Sequence, residues 1–254
     1  MSEYFVGGLG RIVPPNFDHI AKYGYAAVAP STPLQVEKVL VLPPCHKKHN
    51  QGKEGACVGH GTGMMIAIMN TIQCLKQGAK NPYIRYNPWW IWDEAKKRDQ
   101  FPETNPGDNN GTTVSAACDV ARELGLVDWP DEDDQKSFGP VNPEYGISVN
   151  RWATLVDEVR TAIAEDRPVA MGTTWLTDFD EPVYKNGEMW IGLSDNLGTS
   201  RGGHCTCIYG ASDVRQAFKI KNSWGENYPE VWMPYKVVEY LIKDGGEFAL
   251  VTDK

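Results

Sequence analysis

The spacing of apolar residues changes character about two thirds of the way along the chain. In the first part, apolar residues recur every three or four positions, as on one face of a helix. Met64, Ile68, Ile72 and Leu75 follow this spacing after Cys57, and Gly78 supplies a stop. We therefore predict a helix over 57–77, followed by helices within 87–99, 113–124 and 151–165.

From Pro168 onward, short runs rich in β-branched and aromatic residues replace the helical spacing. The runs read PVAMGTTW, HCTCIYGAS, AFKIKNSW and YPEVWMPY, with turn residues between them, and they are typical of strands. Residues 1–50 are rich in Pro, Gly and Asn and predict an extended arm with one or two strands. Helices first and strands afterwards indicate an α+β protein of two lobes with a cleft between them.

Composition narrows the classes of partner. The 254 residues are 41% hydrophobic and 23% charged, which is typical of a globular protein with a sizeable core. A net charge of −8 and the absence of a basic run argue against nucleic acid as a partner. No apolar stretch reaches the roughly 18 residues of a membrane span, and the N-terminus lacks the pattern of a secretory signal. With six cysteines in no disulfide-like framework, we expect a reducing compartment and no membrane partner.

The stretch GKEGACVGHG, residues 52–61, places a single cysteine among small residues at the predicted start of a helix. A thiol at a helix N-terminus has a lowered pKa because unpaired N–H groups and the positive dipole end favour the anion. The thiolate is the form that attacks carbonyl carbons. Gly55 and Ala56 would let the backbone of another molecule approach Cys57, so we predict a nucleophilic cysteine.

Two later segments carry the groups that such a cysteine needs. RGGHCTCIYG contains His204 at the start of a predicted strand, and FKIKNSWGENY contains Asn222 and Trp224 at the end of the next one. A cysteine, a distant histidine and then an asparagine, in this order, are typical of papain-type proteases. In addition, Gln51 stands six residues before Cys57.

Together these motifs resemble the papain-like cysteine peptidase family, most closely its shorter bacterial and phage-type members. The Asn222-Ser223-Trp224-Gly225 signature is intact, and the likeness covers roughly residues 35–240. The resemblance implies a helical left lobe, an antiparallel β right lobe and an active-site cleft between them. It divides the chain into an N-terminal arm over 1–35 and a peptidase domain over 36–254, with the helical lobe at about 50–140 and the β lobe at about 141–240.

The resemblance also assigns roles in the cleavage of amide bonds of a peptide or protein substrate. Cys57 would be the nucleophile and His204 its proton acceptor, while Asn222 would fix the imidazole ring. The side-chain amide of Gln51, with the Cys57 backbone N–H, would form the oxyanion hole. The substrate backbone would lie against Gly55, Asn110, Gly111, Gly203 and Trp224. No cofactor and no metal are implied, and a cytoplasmic or virion-associated location is expected.

Other interpretations remain open. The same fold could be a catalytically silent structural or binding module, perhaps within a larger particle, or a thiol amidase acting on cell-wall peptide. His60 and the acidic turn with Asp178, Asp180 and Glu181 are expected to be structural or solvated rather than part of the site. A zinc site is disfavoured because paired CxxC motifs are absent and the two sulfurs of a CTC strand point to opposite faces. Its candidate ligands are Cys45, His46, His49, Cys205 and Cys207.

Overall fold

The structure is a computed structural model that describes residues 7–14, 18, 20, 24, 35–42, 49–80, 82, 84–99, 101, 110–130 and 139–253. The α-helices of this part of the chain are α1 (Cys57–Lys76), α2 (Pro88–Lys96), α3 (Val114–Glu123), α4 (Val156–Ala164) and α5 (Tyr235–Lys243). The strands are β1 (Glu37–Val39), β2 (Ile147–Trp152), β3 (Val169–Leu176), β4 (Val183–Lys185), β5 (Glu188–Trp190), β6 (Ser200–Ser212), β7 (Ala217–Lys221), β8 (Val231–Pro234) and β9 (Glu247–Asp253). This is the predicted α+β class.

Helix α1 is the buried helix of the molecule, and it begins at Cys57 as predicted. Every residue from Cys57 to Ile72 is buried, so the helix packs on all sides along its first four turns. Glycines make this possible at two contacts. A Cβ on Gly59 would lie 2.0 Å from the Pro88 carbonyl oxygen of α2, and one on Gly61 would lie 2.6 Å from the Cys205 sulfur of β6.

The nine strands form one sheet in the order β2-β9-β3-β6-β7-β8-β5-β4, with β1 paired to β6. All pairings are antiparallel except the contact between β5 and β8. The thirteen-residue strand β6 pairs with β3 on one side and with β7 on the other, and α1 packs against it. The helix that begins at Cys57 therefore packs on the strand that contains His204.

Two sequence predictions need correction. The helix predicted over 151–165 is wrong at its start, because Arg151 and Trp152 pair with Leu250 and Ala249 of β9 as part of β2, and α4 begins only at Val156. Helix α5 was not predicted within the strand-rich part, and β9 lies between β2 and β3 in the sheet. These elements depend on pairing between segments that are distant in the sequence. The local spacing of apolar residues does not show which distant segments pair.

The predicted boundary at residue 36 and the division into lobes stay predictions. Within the described residues, no helix is both long enough and apolar enough to cross a bilayer.

Candidate active site

Cys57 lies at the first position of α1 and is fully buried. The residue before it, Ala56, is the N-cap of the helix and has no side chain that accepts a hydrogen bond. The N–H groups of the first turn are therefore not bonded to a capping side chain. Backbone N–H groups of Gly10, Val58 and Cys205 are directed at the sulfur. These donors come from three separate segments, and all of them would stabilise a thiolate.

A hydrogen bond joins His204 of β6 to Asn222, the residue that follows β7. The distance from His204 Nε2 to Asn222 Oδ1 is 2.9 Å. The other ring nitrogen, Nδ1, is buried and has no hydrogen-bond partner among the described residues. His204 directly precedes Cys205, whose N–H faces the Cys57 sulfur. The ring is therefore held through one nitrogen, while the second makes no hydrogen bond with the described residues.

Aromatic rings enclose the His204 imidazole. The ring centroid of Trp224 lies 4.9 Å from that of His204, and the centroid of Trp175 lies 4.8 Å away in an edge-on arrangement. Tyr228 packs edge-on against Trp224 at 5.0 Å. This enclosure keeps water from competing for the bond between His204 and Asn222.

Trp175 is a site residue that the sequence interpretation missed. It belongs to β3, and its indole N–H donates to Asp180 Oδ1 at 2.9 Å. Asp180 is also paired with Arg201 at 3.0 Å and is 9% exposed. The acidic turn was expected to be solvated, but Asp180 instead fixes the ring that packs on His204. An aspartate a few residues after a tryptophan carries no sequence signal for this role.

Gln51 is completely buried, and both ends of its side-chain amide are hydrogen-bonded. Its Oε1 accepts from the Ser223 hydroxyl at 2.6 Å, which fixes the amide orientation and leaves Nε2 as the donor. Nε2 donates to the carbonyl oxygens of Glu54 at 2.7 Å and Gly8 at 3.0 Å. The donor expected for an oxyanion hole thus already holds a carbonyl oxygen from the N-terminal segment.

Residues 7–12, which we call the strap, occupy the cleft. On the sheet side, the N–H groups of Gly10 and Arg11 donate to the Gly203 carbonyl at 3.1 and 3.0 Å. On the helix side, Thr112 donates to the Gly10 carbonyl at 2.8 Å and accepts from Ile12 at 2.8 Å. A segment bonded to both sides in this way binds as an added strand.

The strap contacts most of the positions predicted to bind a substrate backbone. A Cβ on Gly111 would lie 1.6 Å from the Gly10 carbonyl oxygen, and one on Gly10 would lie 1.9 Å from the Gly55 carbonyl oxygen. A Cβ on Gly7 would lie 2.2 Å from the Trp224 ring. Close backbone approach here requires glycine on both partners.

Asn110 lies next to Gly111 and contacts helix α2 through its carbonyl. Its carbonyl accepts from the Trp92 indole N–H at 3.0 Å, and the backbone pairing with the strap is made by Thr112 instead. Its predicted contact with a substrate stays a prediction.

The strap changes the ionisation expected of the site. Burial raises the pKa of the Cys57 thiol to about 11, against the smaller lowering effect of the three N–H groups and Arg11. Burial also lowers the pKa of His204 to about 4, although its bond to Asn222 acts in the opposite direction. The expected low-pKa thiol is therefore wrong for the strap-covered conformation, because a buried thiolate is not solvated by water.

His60 is a packed residue, as expected, but it has a specific partner. Its Nδ1 lies 2.9 Å from Nδ1 of His49, so one ring donates and the other accepts. The rings sit among Trp89 and Trp129, and burial is the main cause that lowers the pKa of His60 to about 3. The pair joins the loop before Gln51 to the first turn of α1.

The zinc interpretation gains no support within the described residues. No group of three or more His, Cys, Asp or Glu side chains there could hold a metal ion. Two of its candidate ligands, Cys45 and His46, lie outside the described residues. Cys57, Cys74, Cys118, Cys205 and Cys207 are free thiols.

Comparisons with solved structures concern the fold. Xylellain, a cysteine protease from Xylella fastidiosa, superposes with a TM-score of 0.70 at 18% identity and covers 100% of this chain and 99% of its own. The procathepsin B of Trypanosoma congolense gives a TM-score of 0.64 at 14% identity, covering 97% and 87%. The chain has the papain-like fold. A recombinant stem bromelain precursor also matches this papain-like chain, with a TM-score of 0.59 at 13% identity and coverage of 99% and 78%.

A relative found by sequence comparison is also named as peptidase-like. An uncharacterised peptidase C1-like protein of Acanthamoeba polyphaga mimivirus is 22% identical over 244 residues, which cover 87% of the papain-like chain and 75% of the relative. No protein-family model matches the chain. The bacterial or phage-type affiliation stays a prediction.

Proposed function

We propose that this papain-like chain is a cysteine peptidase that cleaves amide bonds through a thioester on Cys57. The observation that carries the proposal is the arrangement of His204, whose Nε2 is fixed by Asn222 while Nδ1 is left without a hydrogen-bond partner among the described residues. The fold and the peptidase C1-like relative support a hydrolase of this class.

The reaction follows from these groups. Cys57 gives its proton to His204 Nδ1 and the sulfur attacks the substrate carbonyl carbon. The carbonyl oxygen becomes an anion beside Gln51 Nε2, where one such donor contributes about 3 kcal/mol to the transition state. When the C–N bond breaks, the leaving amine takes the proton from Nδ1 and a thioester remains. Water then gives a proton to His204 and attacks the thioester carbonyl carbon. The C–S bond breaks, the carboxylic acid leaves, and the Cys57 sulfur takes the proton back from His204.

The strap must leave the cleft before a substrate enters. It holds the Gln51 amide through Gly8 and directs an N–H, rather than a carbonyl carbon, at the Cys57 sulfur. Its departure would admit water to both side chains. Since burial is what raises the pKa of the thiol and lowers that of the imidazole, the ion pair then becomes favourable.

The test compares hydrolysis of denatured casein by the wild-type chain and by Cys57→Ala. We expect the substitution to lower the rate by at least about 10³-fold. Cys74→Ala is the matched control, since this half-buried thiol lies near the end of α1. Both substitutions are repeated in a Gly10→Val background, in which the new side chain cannot fit against Gly55 and should displace the strap. Unchanged hydrolysis after Cys57→Ala would contradict the proposal.

The occupied cleft also favours a second candidate, a catalytically silent module. The rate at which iodoacetamide alkylates Cys57 distinguishes the silent module from the peptidase. A peptidase requires faster alkylation in Gly10→Val than in the wild type at neutral pH, because the uncovered thiol ionises. Equal, slow alkylation of Cys57 and Cys118 in both forms would instead favour the silent module.

The alternative of a thiol amidase acting on cell-wall peptide stays a prediction, as do the cytoplasmic or virion-associated location and the assembly into a larger particle. Release of soluble fragments from purified peptidoglycan, without hydrolysis of casein, would favour the amidase.

A further inference from the structure

Cys205 is a second thiol beside the nucleophile, and the reaction proposed above does not use it. It follows His204 on β6, is completely buried, and directs its own N–H at the Cys57 sulfur. A Cβ on Gly61 would lie 2.6 Å from the Cys205 sulfur. Because Gly61 lies one turn after Cys57 on the same side of α1, the first turn of the helix packs directly on Cys205.

The two cysteines are near enough to form a disulfide. A disulfide joins residues whose Cα atoms are roughly 4.4–6.8 Å apart. Contact between the sulfur of one residue and the backbone N–H of the other gives a separation of about this size. Both residues are free thiols. The Cys205 sulfur lies 3.9 Å from the Thr206 carbonyl oxygen, which is a weak hydrogen bond, so rotation towards Cys57 breaks no strong one.

The strap covers both cysteines. The Cys57 sulfur receives a strap N–H, and Arg11 of the strap lies over the face of β6 that carries Cys205. Gly203 shares this face, because residues two apart on a strand point to the same side. A Cβ on Gly203 would lie 2.0 Å from the Arg11 carbonyl oxygen. One on Gly172, the β3 partner of Cys205, would lie 3.4 Å from Arg11 Nε.

A buried ion pair fixes the strap in this position. Arg11 Nη2 lies 3.2 Å from Glu247 Oε2, and the two side chains are 1% and 0% exposed. While the strap is bound, burial raises the pKa of the Cys57 thiol to about 11, and a protonated thiol reacts slowly with oxidants. Departure of the strap uncovers the two sulfurs together, so their oxidation is confined to the open cleft.

We propose that Cys57 and Cys205 form a reversible disulfide when a hydroperoxide enters the open cleft, which removes Cys57 as a nucleophile. The Cys57 sulfur attacks a peroxide oxygen and the O–O bond breaks. The Cys57 proton leaves with the departing oxygen as water or an alcohol, and a sulfenic acid remains. The Cys205 sulfur then attacks the Cys57 sulfur, the S–S bond forms, and the hydroxyl group leaves with the Cys205 proton as water. The two thiols lose two electrons, which the hydroperoxide gains.

The disulfide would protect Cys57 from irreversible oxidation. A sulfenic acid without a neighbouring thiol proceeds to sulfinic and sulfonic acids, which thiol reductants do not reverse. A disulfide is reduced again by thiol exchange. Transient, redox-sensing disulfides of this kind are the ones found in reducing compartments, which is where the sequence predicts this chain to be.

A packing role for Cys205 is the competing explanation, in which its sulfur only fills the space between α1 and β6. Cys207 is the matched residue, because it is equally buried and lies on the same face of β6. The sequence interpretation, which placed the two sulfurs on opposite faces, is wrong. Cys207 lies farther along α1, since its β3 partner Ala170 donates its N–H to the Met65 sulfur at 3.2 Å. Only Cys205 lies beside the first turn of the helix.

The experiment treats the full chain with hydrogen peroxide at neutral pH, in the wild type and in Gly10→Val. Free thiols are blocked with iodoacetamide under denaturing conditions, and thiols released by dithiothreitol are then labelled with isotopically heavy iodoacetamide. We expect equal heavy label on Cys57 and Cys205, appearing at least about tenfold faster in Gly10→Val, because the uncovered thiol ionises. Without reduction, peptide mapping should find the two cysteines in one cross-linked species.

Two variants in the Gly10→Val background separate the explanations. Cys205→Ala removes the second thiol and keeps the backbone N–H at Cys57. After prolonged exposure to peroxide, we expect it to lower the heavy label on Cys57 at least about fivefold, because the sulfur proceeds to irreversible acids. Cys207→Ala is the control and should keep the full heavy label on Cys57.

The outcomes decide between the two roles of Cys205. Equal recovery of the Cys57 thiol with and without Cys205 would overturn the inference, and so would a cross-link of Cys57 to Cys207 in place of Cys205. The direct search for the cross-linked species in Gly10→Val and in the wild type needs no cysteine variant, so a failure of Cys205→Ala to fold leaves it decisive. The readout is the state of the sulfurs, so loss of the proposed peptidase function would not remove this disulfide.

Discussion

The two sides of the cleft hold their chemical groups by different means. On the helix side, Cys57 is surrounded by backbone N–H groups of Val58, Gly10 and Cys205. On the sheet side, His204 is held by side chains, with Asn222 at one nitrogen and tryptophan rings on its faces. Backbone donors can come from any residue type in the segments that meet at the sulfur, whereas side-chain partners depend on particular residues in distant strands. Substitutions should therefore affect the two sides unequally.

The largest expected effect is on the sheet side. His204→Ala removes the proton acceptor while leaving the backbone donors at Cys57 in place, so we expect hydrolysis to fall by about 10³- to 10⁴-fold. Alkylation of the thiol in the Gly10→Val background should slow as well, because no imidazolium stabilises the thiolate. Thr206→Val, a buried and nearly isosteric change two residues along the same strand, is the control and should retain the rate. Equal rates for both variants would contradict the role of His204.

A fall in pH should lower the stability of both sides of the cleft, because each side contains a buried histidine. His60 on the helix side and His204 on the sheet side have folded-state pKa values of about 3 and about 4, lowered by burial from the ordinary 6.5. The unfolded chain therefore binds protons first as the pH falls below 6.5. The stability is fully present above that pH and is lost towards pH 4.

Between pH 7 and pH 5 we expect the free energy of unfolding to decrease by about 2 kcal/mol for each imidazole. Urea unfolding at the two pH values measures the loss. His60→Leu should remove about half of the pH dependence that the two residues cause. If His60→Leu keeps the full pH dependence of the free energy of unfolding, His60 does not contribute to that dependence.

The smallest expected effect is at the contact between the two sides. Gly61→Ala places a Cβ 2.6 Å from the Cys205 sulfur on β6, so the helix must shift, and we expect a loss of about 2 kcal/mol in urea unfolding. Gly63→Ala is the matched control on the same helix, since its Cβ would meet the end of the Ile91 side chain at 3.3 Å and the Tyr86 carbonyl oxygen at an ordinary 3.8 Å. There the better helix propensity of alanine should offset the contact. Equal stability of the two variants would contradict the tight contact at Gly61.

The sequence alone determined much of the helix side. The apolar spacing and Gly78 located α1 within one residue at either end, and Cys57 was placed at its start. Thr113 was included in the predicted third helix and caps α3 through its hydroxyl, which accepts from the Ala116 N–H at 3.1 Å. These features depend on neighbours a few residues apart, so a local pattern reports them.

Only the tertiary structure decided the surroundings of His204 and the occupation of the cleft. Trp175 reaches the imidazole because β3 pairs with β6, and Asp180 fixes that ring from the following turn. The burial of Arg11 against Glu247 joins residues 236 positions apart. Composition and spacing record which side chains are available, but burial and pKa depend on which distant segments meet. A cysteine predicted to be ionised is therefore protonated while the strap covers it.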